Sequence, residues 1–140
     1  MALTDNLKRQ HKELLQVAAD LAAILQVDKL AKDSTTARTL LSTLAGKLSV
    51  HLQMEDKSLY PHLLSQKNEQ LVSLTTKYIN EMGGIKTSFD TFSKRWPNSA
   101  RIQENPEGFI RETKGMIDIL LNRVSKEDGE LYPMVDHLLQ

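Results

Sequence analysis

The chain has 140 residues, of which 40% are hydrophobic and 26% charged, as in a globular domain with a buried core. Eighteen basic residues balance 18 acidic ones, so the charge gives no reason to expect a nucleic acid or an anionic membrane as partner. The absence of cysteine excludes disulfides, thiolate metal sites and cysteine nucleophiles.

No apolar run approaches the roughly 18 residues that a membrane span needs. The first stretch, MALTDNLKRQHKELL, lacks the apolar core of a signal peptide. We therefore expect one domain over residues 1–140, in the cytoplasm.

In four segments, mostly apolar residues recur at spacings of three and four, which places them on one face of a helix. In chain order the positions are Leu7, His11, Leu14, Ala18, Leu21 and Leu25; then Ala37, Leu41, Leu44, Leu48, His51, Glu55 and Leu59; then Leu71, Leu74, Tyr78, Met82, Ile85, Phe89, Phe92 and Trp96; and last Phe109, Thr113, Met116, Leu120, Arg123, Glu127 and Leu131. Each face must pack against another element.

Helix-capping residues agree with these limits. Thr4 or Asp5 can cap the first helix, residues 33–35 the second, and Asn105 before Pro106 the fourth. The run WPNS at residues 96–99 ends the third helix.

Two glycines and two prolines are expected to disturb the helices. Gly83 and Gly84 should weaken or bend the third helix. Pro61 and Pro133 should each cause a kink or start a short terminal helix. The pattern predicts an all-α four-helix bundle with one longer link around residues 97–105 and a short helix after Pro133.

A repeated motif lies on the second and fourth helices. Residues 51–61 read HLQMEDKSLYP and residues 123–133 read RVSKEDGELYP, so both share the frame ED-x-x-LYP, 72 positions apart. His51 stands four residues before Glu55 in the first copy, and Arg123 stands four residues before Glu127 in the second. Tyr60 and Tyr132 are paired by the repeat, which predicts that they pack symmetrically.

Polar residues share the apolar faces: His11, His51, Glu55, Arg123 and Glu127. An ionised carboxylate is costly to bury alone, so these groups should meet each other or a metal ion. Imidazole and carboxylate are common ligands of iron, zinc and manganese, and bundle cores often hold such sites. Isolated core histidines and an ordinary helix ion pair between Arg123 and Glu127 also fit the pattern.

From NLKRQHKELL through HLQMEDKSLYPHL to VSKEDGELYPMV, the sequence resembles the hemerythrin-like family, also called HHE cation-binding domains. The resemblance implies an up-down four-helix bundle with a non-haem di-iron centre. Members of the family bind or sense oxygen, or handle iron or nitric oxide, and some are regulatory domains.

The resemblance also implies ligands. His11 and His51 match the histidines of the first and second helices, while Glu55 and Glu127 match the two bridging carboxylates. These four residues would complete the protein ligands of one iron.

The ligands of the other iron are missing. Tyr78 and Met82 stand where the third helix would carry histidines, and Arg123 replaces the fourth-helix histidine. We hypothesise that Arg123 forks onto a carboxylate in place of a metal ion. Glu81 is a further candidate ligand if the third helix is rotated.

Two functions remain open. One is a hemerythrin-like protein that holds a single or incomplete non-haem iron site, with zinc or manganese as substitutes, and senses oxygen, redox state or iron through a small gas ligand such as oxygen. The other is a metal-free regulatory bundle that binds a protein partner or a second copy of itself, with Arg123 replacing the metal charge. Because no Ser/His/Asp set, glycine-rich phosphate loop or cysteine occurs, we do not expect an enzyme.

Overall fold

The computed structural model describes residues 4–139, apart from the side chains of Met82 and Gly83. Over this range the chain is helical and contains no strand. Four long helices dominate: α1 (Asp5–Ala23), α3 (Thr35–Met54), α5 (Glu69–Arg95) and α7 (Pro106–Lys126). Shorter ones connect or extend them: α2 (Val27–Lys32), α4 (Tyr60–Leu64), α6 (Ser99–Glu104) and α8 (Tyr132–Leu138).

Neighbouring long helices run in opposite directions. Gln10 of α1 contacts Met54 of α3, and Glu13 of α1 contacts Lys47 of α3. A later residue of α1 thus meets an earlier residue of α3, so the two helices are antiparallel. Contacts between α5 and α7 follow the same antiparallel order, from Glu81 with Arg123 to Arg95 with Glu112. The predicted all-α bundle with alternating helix directions is confirmed, and its long link contains the extra helix α6.

The helix ends follow the capping prediction only in part. Asn105 accepts a hydrogen bond from the Gly108 N–H at 3.1 Å, with Pro106 at the first helical position, as predicted. Thr4 precedes α1, but its hydroxyl donates to Asp136 instead of capping the backbone. Before α3, Asp33 Oδ1 accepts a hydrogen bond from the Thr35 N–H at 2.8 Å, which agrees with the cap predicted from residues 33–35, whereas the Ser34 hydroxyl donates to the Leu30 carbonyl at 2.6 Å.

Each ED-x-x-LYP copy folds into a π-helical turn followed by a short α-helix. The turns are π1 (Glu55–Leu59) and π2 (Glu127–Leu131), closed by the N–H of Tyr60 onto the Glu55 carbonyl and of Tyr132 onto the Glu127 carbonyl. A proline at the second position of each following helix removes one α-helical hydrogen bond, and the wider turn accommodates that loss. The predicted disturbance at both prolines is therefore a π turn. By contrast, α5 continues through Gly83 and Gly84 without interruption.

A polar layer separates two apolar clusters in the core. The larger cluster includes Leu14, Leu48, Leu120 and the stacked rings of Phe92 and Phe109. The smaller one includes the last residue of each π turn and the short helices that follow, and its buried members are Leu7, Leu59, Tyr60, Leu63, Leu71, Tyr78, Leu131, Tyr132 and Val135. No described helix has both the length and the apolar composition to cross a membrane.

Candidate metal centre

Helices α1 and α3 and the π2 turn bring His11, His51 and Glu127 together inside the bundle. His11 Nε2 lies 3.1 Å from His51 Nε2 and 3.1 Å from Glu127 Oε1, and His51 Nε2 lies 3.7 Å from the same oxygen. All three side chains are at most 2% exposed. One donor atom from each residue lies within 4.8 Å of the others, which makes the group a candidate site for a metal ion.

Glu55 and Tyr132 border this group. Glu55 Oε1 lies 3.1 Å from His51 Nε2, one helical turn away. The hydroxyl of Tyr132 donates to Glu55 Oε2 at 2.9 Å. The same hydroxyl is 3.4 Å from His11 Nε2 and 3.5 Å from His51 Nε2. All four sequence-predicted ligands therefore meet in one place, together with a tyrosine.

The outer nitrogen of each histidine is held by an oxygen. His11 Nδ1 lies 2.8 Å from Asp128 Oδ1, and His51 Nδ1 lies 2.8 Å from Gln10 Oε1. These oxygens can only accept, so each Nδ1 donates its proton and Nε2 faces the interior of the bundle. A second-shell acceptor of this kind orients metal-binding histidines in many proteins.

The buried charges balance one another without any cation from outside the group. Burial by itself lowers the pKa of His51, but hydrogen bonds with Glu127 and Glu55 outweigh burial and raise that pKa to about 9. Burial and the neighbouring Glu127 raise the pKa of Glu55 to about 8. Burial also opposes ionisation of Glu127, but its polar contacts with Glu55, His11 and His51 outweigh burial and hold its pKa well below the usual range. Glu127 is thus the anion that His51 and a protonated Glu55 stabilise.

The spacing of the donor atoms fits one metal ion. Donors at about 2.1 Å from a common ion and at right angles to each other are roughly 3 Å apart. The Nε2–Nε2 and Nε2–Glu127 separations of 3.1 Å match that value. In addition, Glu127 Oε2 is buried without a hydrogen-bond partner, so this oxygen can still bind a cation.

The neighbouring half of the layer does not fit a second ion. Arg123 donates to Glu81 Oε2 at 2.7 Å and to the Tyr78 carbonyl at 2.8 Å, and its guanidinium lies 4.2 Å from the Tyr78 ring centre. Tyr78 donates its own hydroxyl to Glu130 at 2.7 Å. Arg123 therefore binds a carboxylate, as hypothesised, but through one nitrogen and not as a fork, and the carboxylate is that of Glu81 on α5.

The remaining candidates take other places. Glu81 pairs with Arg123, so its carboxylate is used outside the histidine group. The side chain of Met82, the other third-helix position, lies outside the described residues. His62 and His137 are exposed and lie outside the histidine group.

Sequence reasoning missed three residues of the site: Tyr132, Asp128 and Gln10. Tyr132 and Asp128 belong to the repeated frame, and their nearness to Glu127 was an available signal. The expected symmetric packing of Tyr60 and Tyr132 is wrong at the hydroxyls: Tyr132 binds Glu55, whereas the Tyr60 hydroxyl is buried without a partner. Gln10 has no comparable signal, since an amide beside a histidine is common on helix surfaces.

Comparison with known proteins agrees with this geometry. A family model described as the Hemerythrin HHE cation binding domain matches residues 2–135, nearly the whole chain. No curated protein and no solved structure matches the chain. The chain belongs to the hemerythrin family of HHE cation-binding domains.

Proposed function

We propose that this protein binds one non-haem iron ion through His11, His51, Glu55 and Glu127, and that it senses oxygen, redox state or iron. The observation that carries the proposal is the 3.1 Å separation of the two histidine Nε2 atoms, with both Nδ1 atoms already held by oxygen acceptors. Two imidazoles held in this way present lone pairs to the same point, which a cation or a shared proton must occupy.

Each residue has a defined part in that binding. His11 and His51 supply neutral nitrogen donors once His51 loses its proton, and Glu127 supplies negative charge. Glu55 is held by the Tyr132 hydroxyl at Oε2, so Oε1 is the oxygen that faces His51. Iron bound there would supply one-electron redox chemistry and a position for water or a small gas ligand such as oxygen.

A single ion is favoured over a pair. The third-helix and fourth-helix positions that would serve a second ion carry Tyr78 and Arg123, and both are committed to other partners. Reversible oxygen storage of the di-iron kind is therefore outside the proposal. We propose a binding role and no catalytic one, since no nucleophile with a matching base accompanies the site.

The proposal is tested by metal analysis of the purified full chain after anaerobic loading with ferrous iron, with zinc and manganese in parallel. We expect about one iron per chain, lost in His51→Ala. His137→Ala, which removes an exposed histidine of α8, is the matched control and should keep its iron. Wild-type protein that stays metal-free after loading would overturn the proposal and leave the metal-free regulatory bundle.

The metal-free alternative has one observation in its favour. Protons on His51 and Glu55 already neutralise the layer, so the fold does not require a cation. In that case added iron should leave the thermal midpoint of the wild-type protein unchanged. For the iron-binding protein we expect a rise, by about 2.7 kcal/mol of stability at a free-iron concentration of 100 times Kd.

A further inference from the structure

Tyr132 stands as close to the two histidine donors as a metal ligand would. Its hydroxyl oxygen, His11 Nε2 and His51 Nε2 form a triangle with sides of 3.1, 3.4 and 3.5 Å. The triangle completed by Glu127 Oε1 has sides of 3.1, 3.1 and 3.7 Å. The two triangles share the edge between the histidines. An ion bound to both histidine Nε2 atoms could therefore be reached by the phenol oxygen of Tyr132 at distances similar to those of the Glu127 carboxylate oxygen.

Packing holds the phenol in this position. Tyr132 is fully buried, and its ring stacks on the His11 ring at 5.2 Å between centroids and 21° between planes. The hydrogen bond to Glu55 at 2.9 Å fixes the direction of the hydroxyl. Pre-positioning of this kind reduces the entropy lost when a ligand binds.

The equivalent tyrosine of the other repeat has a different environment. Tyr60 is 2% exposed, and its hydroxyl has no hydrogen-bond partner. Burial raises the pKa of Tyr60, and the nearby Arg123 partly offsets that rise. The same sequence frame thus places one tyrosine beside the histidines and the other beside the guanidinium.

We propose that Tyr132 is a fifth protein ligand, whose oxygen binds the ion as a phenolate when the ion is trivalent iron. This inference rests on the proposed function, since it requires an ion at His11 and His51. A phenolate is a hard anionic donor, so its coordination favours the trivalent over the divalent ion.

The step is an exchange of a proton for a metal bond. The O–H bond of Tyr132 would break as its oxygen binds the ferric ion, and the proton would leave to bulk solvent, while the hydrogen bond to Glu55 Oε2 is given up. No electron is transferred, so neither an oxidant nor a reductant is needed. The charge of the ion itself drives the loss of the proton, as for other groups bound to metal.

The test loads wild-type protein, Tyr132→Phe and Tyr60→Phe with ferric iron and records metal content and visible absorption. The chain has three tyrosines, so a phenolate-to-iron charge-transfer band has few possible sources. We expect the band in the wild type and in Tyr60→Phe, and its loss in Tyr132→Phe with ferric affinity reduced about 10–100-fold. Both substitutions keep the buried ring and remove one hydroxyl, which makes them a matched pair.

The outcomes separate the two proposals. Wild-type protein with one ferric ion per chain but no phenolate band overturns the role of Tyr132 and leaves the proposed function standing. A band that persists in Tyr132→Phe does the same. Failure of the wild type to bind iron overturns both proposals. If Tyr132→Phe does not fold, Tyr60→Phe and Tyr78→Phe decide by elimination, since a phenolate band that survives in both variants must come from Tyr132.

Discussion

Glu55 and Glu127 hold the same position in the two repeats, yet their environments favour different protonation states: neutral for Glu55 and ionised for Glu127. Glu127 lies 3.1 Å from His11 Nε2 and faces His51, and its lowered pKa keeps it ionised. Glu55 is more completely enclosed, faces Glu127, and has its pKa raised to about 8. In metal-free protein the positive charge opposite Glu127 therefore comes from protons within the layer, whereas Arg123 serves Glu81 and Tyr78.

At the same scale, Arg123 has a structural role that a substitution can measure. Arg123→Met keeps much of the side-chain volume but leaves the Tyr78 carbonyl without its donor and Glu81 without its cation. We expect the free energy of unfolding to fall by roughly 1–3 kcal/mol in urea titrations. Iron content should stay at one ion per chain.

Arg95→Met is the matched control for Arg123. Arg95 also links α5 to α7, through Glu112, but its side chain is 52% exposed. Ion pairs in water contribute little, so we expect a loss of less than about 1 kcal/mol. Equal losses in the two variants would contradict the structural role given to Arg123.

At the scale of elements, the π turns set the direction of the site residues. Each π turn starts at a glutamate of the polar layer and ends just before the tyrosine. Because a π turn contains one residue more than an α-helical turn, it rotates the side chains that follow it around the helix axis. That rotation puts Asp128 on the His11 nitrogen and Tyr132 above the histidine pair. Ordinary helical periodicity continued through residues 127–132 cannot reveal these contacts, because it assumes a constant turn.

Two glycines of α7 give a test of helix energetics. A methyl group at Gly115 would meet no atom within 4 Å, whereas at Gly108 it would lie 2.5 Å from Asn105 Nδ2, in the cap. We expect Gly115→Ala to stabilise the protein by about 0.5–1 kcal/mol through helix propensity. Gly108→Ala should destabilise it by about 1 kcal/mol as the cap is displaced. Thermal unfolding measures both, and a destabilised Gly115→Ala would contradict this account.

At the scale of the whole molecule, the start of α1 is tied to α8 near the other end of the described chain. Asp136 accepts hydrogen bonds from Thr4 at 2.8 Å and from Lys8 at 2.7 Å. Burial by itself raises the pKa of Asp136, but the bonds from Lys8 and Thr4 outweigh it and lower that pKa below 3.8. This contact closes the antiparallel pairing of α1 with the last helical segment.

The lowered pKa makes the contact sensitive to acid. The ionised Asp136 contributes fully to the stability of the fold above the unfolded-state pKa of 3.8, and this contribution is lost as the pH falls through the lower folded-state pKa. Asp136→Asn should therefore lose roughly 1 kcal/mol at pH 7, discounted because Lys8 is 41% exposed, and the difference from wild type should shrink towards pH 2. Urea unfolding across this range measures it, with the exposed Asp118→Asn as control; a pH-independent difference would refute the assignment.

The sequence by itself determined the four helices, because each has one apolar face at a period of three and four, and it determined the histidines and glutamates that share those faces. Four of the residues at the candidate centre were predictable for that reason. The partner of Arg123, the contact of Asp128 with His11 and the place of Tyr132 were decided only in three dimensions. They depend on the rotation of one helix against another and on the π turns, which the spacing of residues along a single helix does not encode.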